Sequence, residues 1–74
     1  MSSYHFDIVS DGVATTEIVD AVDDEAAVRQ ALLLVSEIVR DRALSNQDQV
    51  VVALSVRDTA DRLVWKGSAS GGMD

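Results

Sequence analysis

Cysteine is absent from the chain and histidine occurs once. The first absence excludes a disulfide; the second leaves only carboxylates for a metal, which suit a hard, oxygen-bound cation and not zinc. Bases are few as well: six lysines and arginines stand against 13 acids, a formal net charge of −7. Binding to DNA or RNA depends on Lys and Arg displacing counterions from phosphates, so nucleic acid is not an expected partner. The same balance disfavours anionic membrane surfaces, and no apolar run approaches the roughly 18 residues of a spanning helix. The opening MSSYHFD has neither the basic start nor the apolar core of a secretory signal. A glycine-rich phosphate loop, a nucleophile elbow and a zinc spacing are all missing. The expectation is a cytoplasmic protein that uses no cofactor.

What is present suffices for one small domain, since 74 residues leave no room for a second core. At this length folding buries only about 60% of the surface of the unfolded chain, so small domains commonly draw on a disulfide, a metal or a partner. With the first excluded and the second poorly supplied, association with another chain is the remaining source of stability.

The hydrophobic pattern divides the chain into five elements. In residues 4–10, Tyr4, Phe6 and Ile8 alternate with His5, Asp7 and Val9, the period of a strand with one apolar face. Asp11-Gly12 is a turn dipeptide, although the following VATT delays the next apolar run and predicts a connection looser than a two-residue hairpin. A second strand is expected over residues 17–22. From Asp23 the run DDEAAVRQALLLVSEIVRDRAL opens with three acids and continues in strong helix formers such as Ala, Leu, Gln, Glu and Arg. Asp23 suits the N-cap, Asp24 and Glu25 the positive end of the helix dipole, and Arg40 and Arg42 its negative end. At about 100° per residue, Ala27, Val28, Ala31, Leu32, Leu34, Val35, Ile38 and Val39 share one face, with Leu33 outside it.

After the polar residues 45–49, VVVALSVR places Val50, Val52, Leu54 and Val56 in one file and Val51, Ala53, Ser55 and Arg57 in the other. DTADR reads as a turn. LVWKG then returns as a strand, with Leu63 and Trp65 on one face and Val64 and Lys66 on the other. The closing SASGGMD is too poor in apolar side chains to order itself, so the domain is expected to span residues 1–67 with a mobile tail over 68–74. The fold class is α+β: a ββαββ chain forming a single antiparallel sheet on one long helix, in the order 2-1-3-4.

This pattern resembles a small bacterial domain family of unknown function. The resemblance rests on the aromatic first strand with Tyr4 and Phe6, on Asp11-Gly12, on the acidic, alanine-rich helix start from Asp23 to Ala27, and on the later strand with its DTADR turn. It covers nearly the whole chain and implies the ββαββ layout without any activity, because the family has no assigned catalytic residues. Where the family tends to place histidine this chain has Asp7, and its own histidine is at position 5, where an aromatic is usual. A histidine-centred role is therefore not among the things the resemblance implies.

Three functional readings remain. His5 and Asp7, two apart on one strand, leave the same face and could form an acid–base pair or a metal site in a small enzyme. Two polar residues on the less buried side of a sheet are the preferred reading, since catalysis also needs a cleft, a reacting group and charge stabilisation, none of which the sequence shows. The acids of DAVDDE lack the alternation, glycine and terminal glutamate of a calcium loop and are explained by helix capping; Asp58, Asp61 and Arg62 are explained by turn chemistry. Trp65 reads as core, with a partner anchor as its alternative. A second reading is an accessory regulator that senses a small ligand between helix and sheet, which needs a cavity there. The third is a non-enzymatic module that self-associates or binds a protein partner. Val9, Val51, Ala53 and Val64 are expected to form an apolar strip on the sheet face away from the helix, where a second copy in a homodimer would cover it.

Overall fold

A computed structural model describes residues 1–44 and 49–72. Its elements are β1 (Ser2–Ser10), β2 (Val13–Ala21), α1 (Asp24–Leu44), β3 (Gln49–Arg57) and β4 (Leu63–Gly72). The strands form one antiparallel sheet in the order β2-β1-β3-β4, the α+β arrangement read from the pattern.

The core lies between the sheet and α1. From β1 it takes Tyr4, Phe6 and Ile8, from β3 Val52, Leu54 and Val56, and from the helix Ala27, Ala31 and Val35. The helix begins where its cap requires: Asp23 Oδ1 accepts a hydrogen bond of 2.8 Å from the Ala26 amide, one of the donors a helix start leaves unpaired. Of the predicted helix face, Leu32 is half exposed. Leu33 is exposed, as its position outside that face requires.

Three local expectations are corrected. The β1–β2 connection is a two-residue hairpin: Asp11 (φ 54°) and Gly12 (φ 77°) both have positive φ, and Ser10 pairs directly with Val13. That is the geometry of a type I′ turn, whose twist matches the strands it joins. The VATT segment misled because β2 is an edge strand whose residues are largely exposed on both faces, so alternation is not required of it. The second correction concerns β4. A register shift between Val56 and Arg57 places Leu63 opposite Arg57 and Trp65 opposite Val56, which puts Leu63 and Trp65 on different faces. Val64, the residue absorbed by the bulge, packs against the core together with Trp65, and so does not lie on the open face as expected. The third concerns the supposed tail. Residues 68–72 continue β4, with Ser68 opposite Ala53 and Ser70 opposite Val51. Backbone pairing to a valine-rich neighbour orders a segment that its own side chains do not. Residues 45–48 of the predicted loop, and Met73 and Asp74 of the predicted tail, lie outside the described residues.

The helix is not centred on the sheet. It packs mainly on β3 and β4 and only lightly on β2. The small side chains of Ala27, Ala31 and Ala69 lie in or against the core at this side, and small residues let a helix approach closely.

Candidate functional site

The sheet face away from α1 is built in rows set by the register. One row runs Ala14, Val9, Ala53, Ser68; the next Thr16, Asp7, Ser55, Lys66; the next Ile18, His5, Arg57, Leu63. At its centre Arg57 holds Asp7 in a forked ion pair, with Nε at 2.6 Å from Oδ2 and Nη2 at 3.0 Å from Oδ1. Thr16 Oγ1 donates to Asp7 Oδ1 at 2.8 Å, and the remaining Arg57 nitrogen, Nη1, pairs with Asp61. The Arg57 guanidinium, followed by the Thr16 hydroxyl, holds the Asp7 carboxyl below the usual carboxylate range, and the two acids in turn raise Arg57.

His5 and Asp7 do share this face, but the structure does not join them. Asp7 directs both oxygens to Arg57 and Thr16, whereas His5 Nδ1 is buried without a hydrogen-bond partner among the described residues. A carboxylate saturated in this way is a poor general base, because taking a proton means breaking a charge-assisted fork. Among the described residues no group of three or more His, Asp or Glu side chains is placed to hold a metal ion.

Of the four predicted interface residues, three are brought together: Val9, Val51 and Ala53 line one shallow hollow with Asp11 and Gly12. Val9 and Val51 are 43% and 52% exposed, large values for valines in a sheet. The fourth, Val64, is on the core side. Sequence reasoning missed Leu63 and Ile18, which stand exposed at the opposite end of the same face at 54% and 70%. Ile18 pairs with His5, so correct hairpin register would have found it; Leu63 required the bulge.

The end of the fold near the start of α1 carries a second polar cluster with a structural role. Tyr4, buried, donates its hydroxyl to Asp24 Oδ1 at 2.7 Å, and Arg62 reaches Asp24 Oδ2 at 3.0 Å and Asp58 Oδ2 at 2.9 Å. Asp58 also accepts from the Ala60 and Arg62 amides, and the Arg62 amide and side chain are the largest causes holding its carboxyl low. Asp61, with φ 65°, completes this turn in the left-handed region that aspartate tolerates. The acidic helix start and DTADR are thus cap and turn, joined by Arg62.

These features define a small ββαββ domain whose two sheet faces differ: one is covered by a helix, the other carries an ion pair bounded by exposed apolar side chains. The model of the family described as Domain of unknown function (DUF6894) matches residues 3–70, and the chain belongs to that family. No curated protein and no solved structure matches it. Among the described residues no helix is long and apolar enough to cross a membrane.

Proposed function

We propose that the domain is a non-enzymatic self-associating module in which two copies stack through the sheet face opposite α1. The observation that carries this reading is the bare face itself: Val9, Val51 and Ala53 at one end and Ile18 and Leu63 at the other have nothing over them among the described residues.

Charge supports a second copy as the occupant. On this face Arg57 is paired with Asp7 and Asp61, Asp11 at its edge is paired with Arg42, and Lys66 stands against Asp20 in number, so its charges are largely compensated while the chain as a whole carries −7. Two strongly acidic molecules repel least through the surfaces whose charges are compensated. Size agrees as well. Four strands of about nine residues present a flat outline of roughly 19 by 30 Å, about 570 Å², which the relief of the side chains raises toward the ~800 Å² per partner that a stable interface buries. Stacking sheet on sheet would remove the apolar ends from water and leave the internally satisfied Asp7–Arg57 pair between them. The alternative of a small enzyme or metal protein centred on His5 and Asp7 has less support, because Asp7 is already engaged.

Mass measurement in solution over a range of concentrations tests the proposal. Val51→Lys should convert a dimer to monomer, since a two-fold axis introduces two charges into one desolvated strip, whereas Gln30→Lys on the helix should leave the mass unchanged. A wild-type chain that stays monomeric at every concentration refutes it.

A further inference from the structure

The helix side of the sheet is closed over β1, β3 and β4, where Tyr4, Phe6, Ile8, Val52, Leu54 and Val56 are buried, and open along β2. Four strands spaced about 4.8 Å apart make a sheet some 19 Å wide, whereas a helix with its side chains is about 10 Å across. With α1 lying over β3 and β4, the helix-side residues Val13, Thr15 and Glu17 of β2 are left exposed. Beside α1 they form a continuous groove. Its β2 wall is Val13, Thr15, Glu17 and Val19, and its helix wall is Leu33, Leu34, Glu37 and Ile38.

At the end lined by Leu33, Glu17 and Glu37 the groove carries only negative charge. Glu17 and Glu37 stand on opposite walls of the same depression, and neither has an ion-pair partner among the described residues. Arg42, the base at the far end, is drawn to Asp11. Two uncompensated carboxylates flanking exposed Leu33, 64% exposed, and Val13, 62% exposed, are matched by apolar side chains interspersed with cations.

We propose that this groove receives an amphipathic α-helix from a partner protein, with an apolar stripe on β2 and the flank of α1 and with Lys or Arg between Glu17 and Glu37. A helix fits because one apolar stripe can cover the open residues of β2 and the exposed flank of α1 at once. An added strand would instead extend the sheet beyond β2 and leave Leu33 and Leu34 uncovered. The groove and the proposed dimer surface lie on opposite faces of one sheet, so both can be filled at once, and neither proposal depends on the other.

The test is a titration of the full chain with two synthetic helical peptides of about 16 residues, enough to follow α1 from Gln30 to Arg42. They share a leucine stripe and differ in carrying lysine or glutamate beside it. The lysine peptide should bind, shifting the NMR signals of Val13, Val19, Leu33, Leu34 and Ile38 and leaving Val51 and Lys66 unmoved, while the glutamate peptide should not. Glu17→Gln with Glu37→Gln, two exposed changes that spare the core, should weaken binding about tenfold at low salt, with the difference shrinking as salt rises. The proposal is overturned if both peptides bind alike, if the shifts fall on the Val51 face, or if the double variant binds as tightly as the wild type. It is equally overturned if Leu33 signals move with protein concentration alone, because the occupant is then a second copy.

Discussion

Arg57 on β3 grips Asp7 on β1 with two nitrogens at 2.6 and 3.0 Å, and so ties together two strands that are 50 residues apart in the chain. The pair is about one-third exposed, which places its strength between that of a screened surface contact and a buried one.

Its pH dependence has a definite sign. The Asp7 carboxyl is held below its ordinary value in the folded state, so its contribution is present above the unfolded carboxylate pKa of about 3.9 and is lost as pH falls through the lower folded value. Asp7→Asn should lower the denaturation midpoint slightly at neutral pH. The gap between variant and wild type should narrow below about pH 4, and added salt should reduce it at every pH. Urea titrations across that range check both points.

Tyr4 is the single tyrosine, so its ionisation can be followed without interference. Its hydrogen bond to Asp24, then its burial, push its pKa up to about 12. A raised pKa means that this contribution to stability is intact below the unfolded value of about 10 and disappears as pH climbs through about 12. Asp24→Asn should bring phenolate formation to lower pH in an absorbance titration, and unfolding in urea should bring it to the ordinary value. An unchanged midpoint in Asp24→Asn would show that the hydrogen bond has no part in the shift.

How much of this could be read from residues alone depended on whether one side chain or a pair carried the information. The helix was legible because a cap and a long period speak within one segment: Asp23 and the Ala27, Ala31, Val35 face are local facts. The β1 and β3 files were legible for the same reason, and their order followed from connection rules. The edges were not, because β2 and residues 68–72 owe their extension to the strands they pair with. The Asp7–Arg57 pair depends on strand order and register together. Its one trace in sequence was that both residues fall in the outward files of strands expected to be neighbours.

The bulge offers a test at adjacent residues. Val64→Lys introduces a charge against the core and should destabilise the fold by about 1–3 kcal/mol, whereas Leu63→Lys, on the open face, should weaken self-association and leave the unfolding midpoint nearly unchanged when both are compared at concentrations low enough to keep the chain monomeric. Equal loss of stability in the two variants would contradict the register shift.

A further test concerns Gly67, which carries the ring of Trp65. A Cβ at Gly67 would fall 2.5 Å from Cζ2 and 2.6 Å from Cη2 of the indole, so Gly67→Ala must displace the ring. The expected result is a red-shifted emission from the one tryptophan and a loss of about 1–3 kcal/mol, the usual cost of overpacking. Wild-type emission in this variant would mean that the ring does not lie over the glycine.

The order β2-β1-β3-β4 also has a kinetic consequence. Each edge strand joins its neighbour through a short turn, so the two hairpins are local units that close at little entropic cost. The seam between β1 and β3 must instead gather residues about 50 apart in the chain, which costs about 2–3 kcal/mol more in loop-closure entropy before any contact is made. The expected slow step is the meeting of β1 with β3, so a substitution along that seam should slow folding to the extent that its contacts are made in the encounter, while one whose contacts form only afterwards should act on the rate of unfolding.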